Sequence, residues 1–133
     1  MIKKTIKYTD FDGNEREEDF FFNLTKAECM EMELTTDGGM EAFIKKIINE
    51  KDNKKIVEIF KDIIIRSYGE KSLDGKRFMK SPEIVANFVS TEAFSELFME
   101  LSTDADAATK FINGVIPKLP NGAPVTTALP NAN

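Results

Sequence analysis

The chain has 133 residues, enough for one domain with a real core, and its 41% apolar and 31% charged residues are ordinary globular usage. A net charge of −5 argues against a nucleic-acid binder, which needs a basic stripe to neutralise phosphates. The absence of histidine removes Ser-His-Asp and Cys-His nucleophile arrangements, histidine general bases and the commonest zinc ligand together.

The first segment reads as a β-hairpin over residues 2–24, with Ile2, Ile6 and Tyr8 on one face and Asp12-Gly13-Asn14 supplying residues that tolerate positive φ. A two-residue loop would set Ile6 opposite Asp19 and Tyr8 opposite Glu17. A three-residue loop sets Ile6 opposite Phe20, Ile2 opposite Leu24 and Lys7 opposite Asp19. Cross-strand pairing favours the second register, which matches apolar with apolar and joins opposite charges.

From Thr25 onward the spacing predicts helices. Thr25-Lys26-Ala27-Glu28 is a capping box opening a short helix to about Leu34, and Gly38-Gly39 punctuates. Met40, Phe43, Ile44, Ile47 and Ile48 form an apolar stripe at helical spacing. Asp52-Asn53 breaks that helix and caps the next, which bears Ile56, Ile59, Phe60, Ile63 and Ile64. Val57 and Ile65 widen its arc, so this helix is expected to be central and the most buried, with Gly69 ending it in a left-handed conformation. Residues 70–80 read as a polar connector turning at Asp74-Gly75.

Ser81-Pro82-Glu83 is a helix start, with an N-cap serine and proline at the first position. Ile84, Val85, Phe88 and Val89 follow, and Ser90 or Thr91 divides this helix from one striped by Phe94, Leu97, Phe98 and Leu101. Asp104 caps a last helix carrying Ala108, Phe111 and Ile112, closed near Gly114. The expected fold is therefore α+β: the hairpin, then a bundle of five to six short helices within one globular domain at 1–117. Residues 118–133 are rich in Pro, Asn, Ala and Thr and read as a flexible, disordered tail.

No chemical signature emerges from the remaining residues. Cys29 lies among Glu28, Glu31 and Glu33, whereas a reactive thiolate wants an electropositive setting, so it reads as packing. Asp10 to Glu15 begins like a calcium loop but places Glu15 where such a loop requires glycine, and it joins strands rather than helices. Gly38-Gly39 and Asp74-Gly75-Lys76-Arg77 lack the spacing of a phosphate-cradling loop. Lysines 45, 46, 51, 54 and 55 alternate with Glu50, Asp52 and Glu58 and read as a solvated helix face. No apolar run approaches the about 18 residues of a membrane span, and Met1 to Thr5 lacks the apolar stretch of a secretory signal. The expectation is a cytoplasmic protein with no catalytic residue, cofactor or metal. Met30, Met32, Phe88, Phe94 and Phe98 have two readings, core packing or an adaptable contact surface. Two consecutive apolar helices in so small a domain favour an interaction module, with Phe88, Phe94, Leu97, Phe98 and Leu101 as candidate partner-binding residues.

Several strings resemble, in order along the chain, those of tail assembly chaperones from siphophages of Gram-positive hosts. They are Tyr8-Thr9-Asp10-Phe11-Asp12-Gly13-Asn14-Glu15 and Phe20-Phe21-Phe22-Asn23-Leu24-Thr25-Lys26-Ala27-Glu28. Tyr68-Gly69-Glu70-Lys71-Ser72, Asp74-Gly75-Lys76-Arg77-Phe78, the run from Glu92 to Leu101 and Phe111-Ile112-Asn113-Gly114-Val115-Ile116-Pro117 complete the set. The resemblance implies a non-catalytic protein that binds the tape measure protein, keeps it soluble and helps recruit major tail protein. It further implies action in the cytoplasm of the bacterial host and absence from the mature virion. This chain resembles the shorter of the two forms in which many members are made, the longer arising by translational frameshift. Self-association is a further expected contact. The competing readings are a structural tail-completion or connector protein of the virion and a small acidic inhibitor of a host enzyme.

Overall fold

A computed structural model describes residues 1–35, 45 and 53–117. The expected stripe from Met40 to Ile48, the Gly38-Gly39 pair and residues 118–133 fall outside the described residues. The hairpin consists of β1 (Ile2–Thr9) and β2 (Glu15–Phe22), paired antiparallel. Five helices follow among the described residues: α1 (Lys26–Thr35), α2 (Asn53–Ser67), α3 (Pro82–Val89), α4 (Glu92–Thr103) and α5 (Ala105–Val115). The α+β class is as expected. Two strands were not: β3 (Tyr68–Lys71) pairs with β2, and β4 (Phe78–Met79) pairs with β3, making a four-stranded sheet of order β1-β2-β3-β4.

The hairpin register corrects the sequence reading. Ile6 stands opposite Glu18, Ile2 opposite Phe22 and Lys7 opposite Glu17. The loop residues are Phe11, Asp12 and Gly13, one position earlier than expected, because Asp10 organises the turn. The Asp10 carboxylate accepts hydrogen bonds from the backbone N–H groups of Asp12 and Asn14 at 2.9 Å each, while the Gly13 N–H donates to the Asp10 carbonyl at 3.0 Å. Gly13 takes φ +85°, the positive-φ position the sequence anticipates. A slip of one residue at the loop moves opposite residues by two, so each side chain keeps its face. Ile6 and Phe20 still share the inward face, as diagonal rather than direct neighbours, and Phe22 lies directly opposite Ile2.

The same alternation places Lys4 and Glu18 on the inward face, and each finds a partner. Lys4 Nζ lies 3.0 Å from Glu100 on α4, and Glu18 accepts the Tyr8 hydroxyl. That hydrogen bond, with burial, raises the Tyr8 pKa.

Gly69 is a second correction. Helix α2 ends at Ser67, whose buried hydroxyl donates to the Ile63 carbonyl at 2.7 Å, and Gly69 lies within β3 without a positive φ. A Cβ there would sit 2.6 Å from Phe78 Cε2 and 2.9 Å from the Met79 carbonyl oxygen, so the glycine permits the close approach of β4. The arc of α2 is also narrower than expected. Phe60, Ile63 and Ile64 are buried, but Val57 is exposed and Ile65 half-buried.

Between sheet and helices lies one core containing Phe22, Leu24, Ile63, Ile64, Leu97, Leu101, Phe111 and Val115. Rings dominate it: Tyr68 stacks on Phe88 with centroids 4.2 Å apart, and Phe22 meets Phe111 edge-on at 5.2 Å. Burying such rings, and ordering them against one another, is the main source of stability in a domain of this size.

Candidate docking surface

Helix α3 begins where the sequence anticipates it. Ser81 accepts a hydrogen bond from the Ile84 N–H at 3.1 Å and Pro82 occupies the first turn. Thr91 caps α4 and Asp104 caps α5, the latter accepting from the N–H groups of Asp106 and Ala107. These caps satisfy backbone N–H groups that would otherwise be unpaired in the first turns of α3, α4 and α5.

Of the five candidate contact residues, Phe88, Leu97 and Leu101 are buried in the core at 3%, 1% and 2% exposure. Phe94 and Phe98 pack on the outside of that core and stay partly exposed. The two stack on each other at 5.9 Å, and Phe94 meets Phe88 edge-on at 5.8 Å, so a line of rings runs outward from the core to the flank of α4. Met99 is 57% exposed on the same helix. Met30 is exposed and Met32 buried, which divides the two readings of the methionines.

Sequence reasoning missed a groove of ≈ 580 Å³ between α2 and α3. Ile65, Pro82, Val85, Ala86 and Val89 line it, with Lys61 and Lys80 beside them. Its sequence signal was the excess of apolar positions on both helices, more than one buried face can use. Lys80 is committed to structure. Its ammonium donates to the carbonyls of Asn23 at 2.7 Å and Arg66 at 2.8 Å, and to both Glu28 carboxylate oxygens at 2.8 Å. Burial pushes the Glu28 carboxyl up, but the hydrogen bonds from Lys80 and from the Thr25 N–H outweigh it and the net shift is downward. The same carboxylate completes the Thr25–Glu28 capping box of α1. Cys29 beside it is buried, and burial pushes its thiol up, away from the thiolate a nucleophile needs.

The hairpin end bears the other charged cluster. Arg16 Nε donates to Asp10 at 2.6 Å and Arg16 Nη1 to Glu18 at 3.2 Å. The Arg16 hydrogen bond, with those from the backbone, lowers the Asp10 carboxyl to about 2. No group of three metal-ligating side chains converges among the described residues, and no helix there is long and apolar enough to cross a membrane.

Apolar flanks and a groove on capped helices are surface of the kind at which proteins bind one another. Residues 1–120 match the family described as phage tail assembly chaperone, and the chain belongs to that family. No curated protein and no solved structure matches it. Its role is that of a chaperone in phage tail assembly, a role carried out through protein partners.

Proposed function

We propose that the client is the tape measure protein, which this chaperone keeps soluble while it helps recruit major tail protein around it. The protein then acts in the cytoplasm of its bacterial host, on a siphophage tail of a Gram-positive host, without catalysis, and is left out of the mature virion. The observation that carries this reading is the stacked Phe94–Phe98 pair on the flank of α4, in a chain that belongs to a tail assembly chaperone family. A long, apolar, helical client needs apolar helix surfaces that engage it reversibly, and helix-on-helix contact is the recognition mode such a flank suits. Binding the client's exposed apolar surface lowers the concentration of aggregation-competent chain by mass action.

Co-expression of the client with fractionation tests this, alongside thermal melts of each variant alone. Phe98→Ala should leave a folded domain, with a loss below the about 3–5 kcal/mol of a fully buried phenylalanine, yet should shift the client into the insoluble fraction. Phe60→Ala, at a buried position of α2, is the core control and should unfold the domain. Folded variants at 94 and 98 that still solubilise the client would remove α4 from the contact surface. A wild-type chain that fails to solubilise it would overturn the tape measure reading, as would mass spectrometry finding the protein in purified virions for the transient role.

A further inference from the structure

The charge of this protein is not spread evenly. Residues 81–117 hold six carboxylates, those of Glu83, Glu92, Glu96, Glu100, Asp104 and Asp106, against the single ammonium of Lys110. Helices α3, α4 and α5 therefore carry the whole net charge of −5, and the rest of the chain is balanced. The fold uses most of these groups. Glu83, Glu92 and Asp106 lie in first helical turns, where the helix dipole favours an anion, Asp104 caps α5, and Glu100 is paired with Lys4. Glu96 has no such use.

Glu96 faces a polar hollow of ≈ 450 Å³ between α4 and the hairpin, lined also by Lys7, Glu15, Arg16 and Glu17. Both cations there are already engaged, Arg16 with Asp10 and Glu18, and Lys7 with Glu17 at 3.8 Å. The carboxylates of Glu15 and Glu96 have no ion-pair partner among the described residues. Around α4 the faces follow in order. Leu97 and Leu101 point inward, Phe94 and Phe98 lie on one flank, and the exposed Met99 points outward. Glu96, one turn before Met99, lies on the other flank, toward β1.

We propose that the partner segment docking on α4 is an amphipathic helix with a basic polar side. Its apolar face covers Phe94, Phe98 and Met99, and a lysine or arginine stem crosses Met99 so that the charged head enters the hollow beside Glu96 and Glu15. A long cationic side chain suits that path, because its methylenes lie on apolar surface while its head stays solvated. Apolar contact holds amphipathic helices of either charge, whereas the charge match selects among them and speeds encounter. The same flank carries the proposed client contact, so this inference rests on that reading and adds the chemistry by which a client segment is chosen.

Fluorescence anisotropy on the full chain tests it with two labelled helical peptides that share one leucine face, one bearing lysine and the other glutamate at the polar positions. The lysine peptide should bind about tenfold more tightly at low salt, and the gap should narrow as salt screens it. Glu96→Gln and Glu15→Gln should each weaken the lysine peptide about two- to fivefold, the range for exposed ion pairs, without weakening the glutamate peptide. Glu58→Gln removes the same charge from an exposed position of α2 that does not line the hollow, and should change that affinity far less. Phe98→Ala should weaken both peptides. Thermal melts of every variant verify the fold. Peptides bound equally by the wild type, with Phe98→Ala still weakening both, would overturn the charge selection and leave α4 as the contact. Equal losses from Glu96→Gln and Glu58→Gln would reduce the effect to net charge and overturn the role of the hollow. Undiminished binding by Phe98→Ala, or a wild type that binds neither peptide, would overturn the α4 contact and the proposal with it.

Discussion

Single residues set the geometry of the hairpin tip. Gly13 holds φ +85° with open space around its Cβ position, so a substitution there is opposed by backbone strain rather than by a clash. Gly13→Val should cost on the order of 1 kcal/mol or more, measured by urea denaturation, and equal stability would mean the loop can adopt another turn. Asp10 contributes through its charge. Its folded pKa of about 2 lies below the ordinary carboxylate value of about 3.9, so its stabilisation is present above the unfolded value and is lost as pH falls toward 2. In Asp10→Asn, the loss of stability between about pH 4 and pH 2 should be shallower than in the wild type. Matching acid profiles would show that the carboxylate's hydrogen bonds to Asp12, Asn14 and Arg16 persist in the unfolded chain.

Elements are joined by a few side chains that reach across them. Lys80 links the end of β2, the first turn of α1 and the last turn of α2 through one ammonium group. Lys80→Met keeps much of the stem but strands a carboxylate and two carbonyls, and should lower stability by about 1.5–3 kcal/mol in chemical denaturation. A loss within a few tenths of a kcal/mol of wild type would mean that water satisfies those groups equally well. At β3, Gly69→Ala brings a methyl group within 2.6 Å of the Phe78 ring and 2.9 Å of a backbone oxygen. The ring can turn aside but the carbonyl cannot without shifting β4, so about 1–3 kcal/mol should be lost. Stability unchanged by the alanine would show that β4 yields freely.

At the scale of the whole molecule, the C-terminal end of α5 is tied back to the sheet, since the Leu24 N–H donates to the Val115 carbonyl at 2.9 Å. We propose that residues 1–117 are the folding unit, and that deleting 119–133 leaves the thermal midpoint unchanged. A drop of several degrees would assign those residues a part in the fold. The sequence by itself determined the α+β class, the helix starts at Thr25, Ser81 and Asp104, a division between two helices at Ser90 or Thr91, the positive φ of Gly13 and the shared face of Ile2, Ile6 and Tyr8. Each of these is local: a cap needs one side chain and the next turn, and a face needs only alternation. It did not yield the register, because Asp10 outweighs apolar matching through several hydrogen bonds. Nor did it yield β3 and β4, which carry four and two residues and exist only by pairing, β3 with the open edge of β2 and β4 with β3. The contact surface divided in the same way. Phe88, Phe94, Leu97, Phe98 and Leu101 share one helical pattern, and only the packing of α4 against β1, α2 and α5 decided that Phe94 and Phe98 remain partly exposed. Periodicity reports which side of a helix is apolar; how much of that side is covered depends on neighbours distant in the chain.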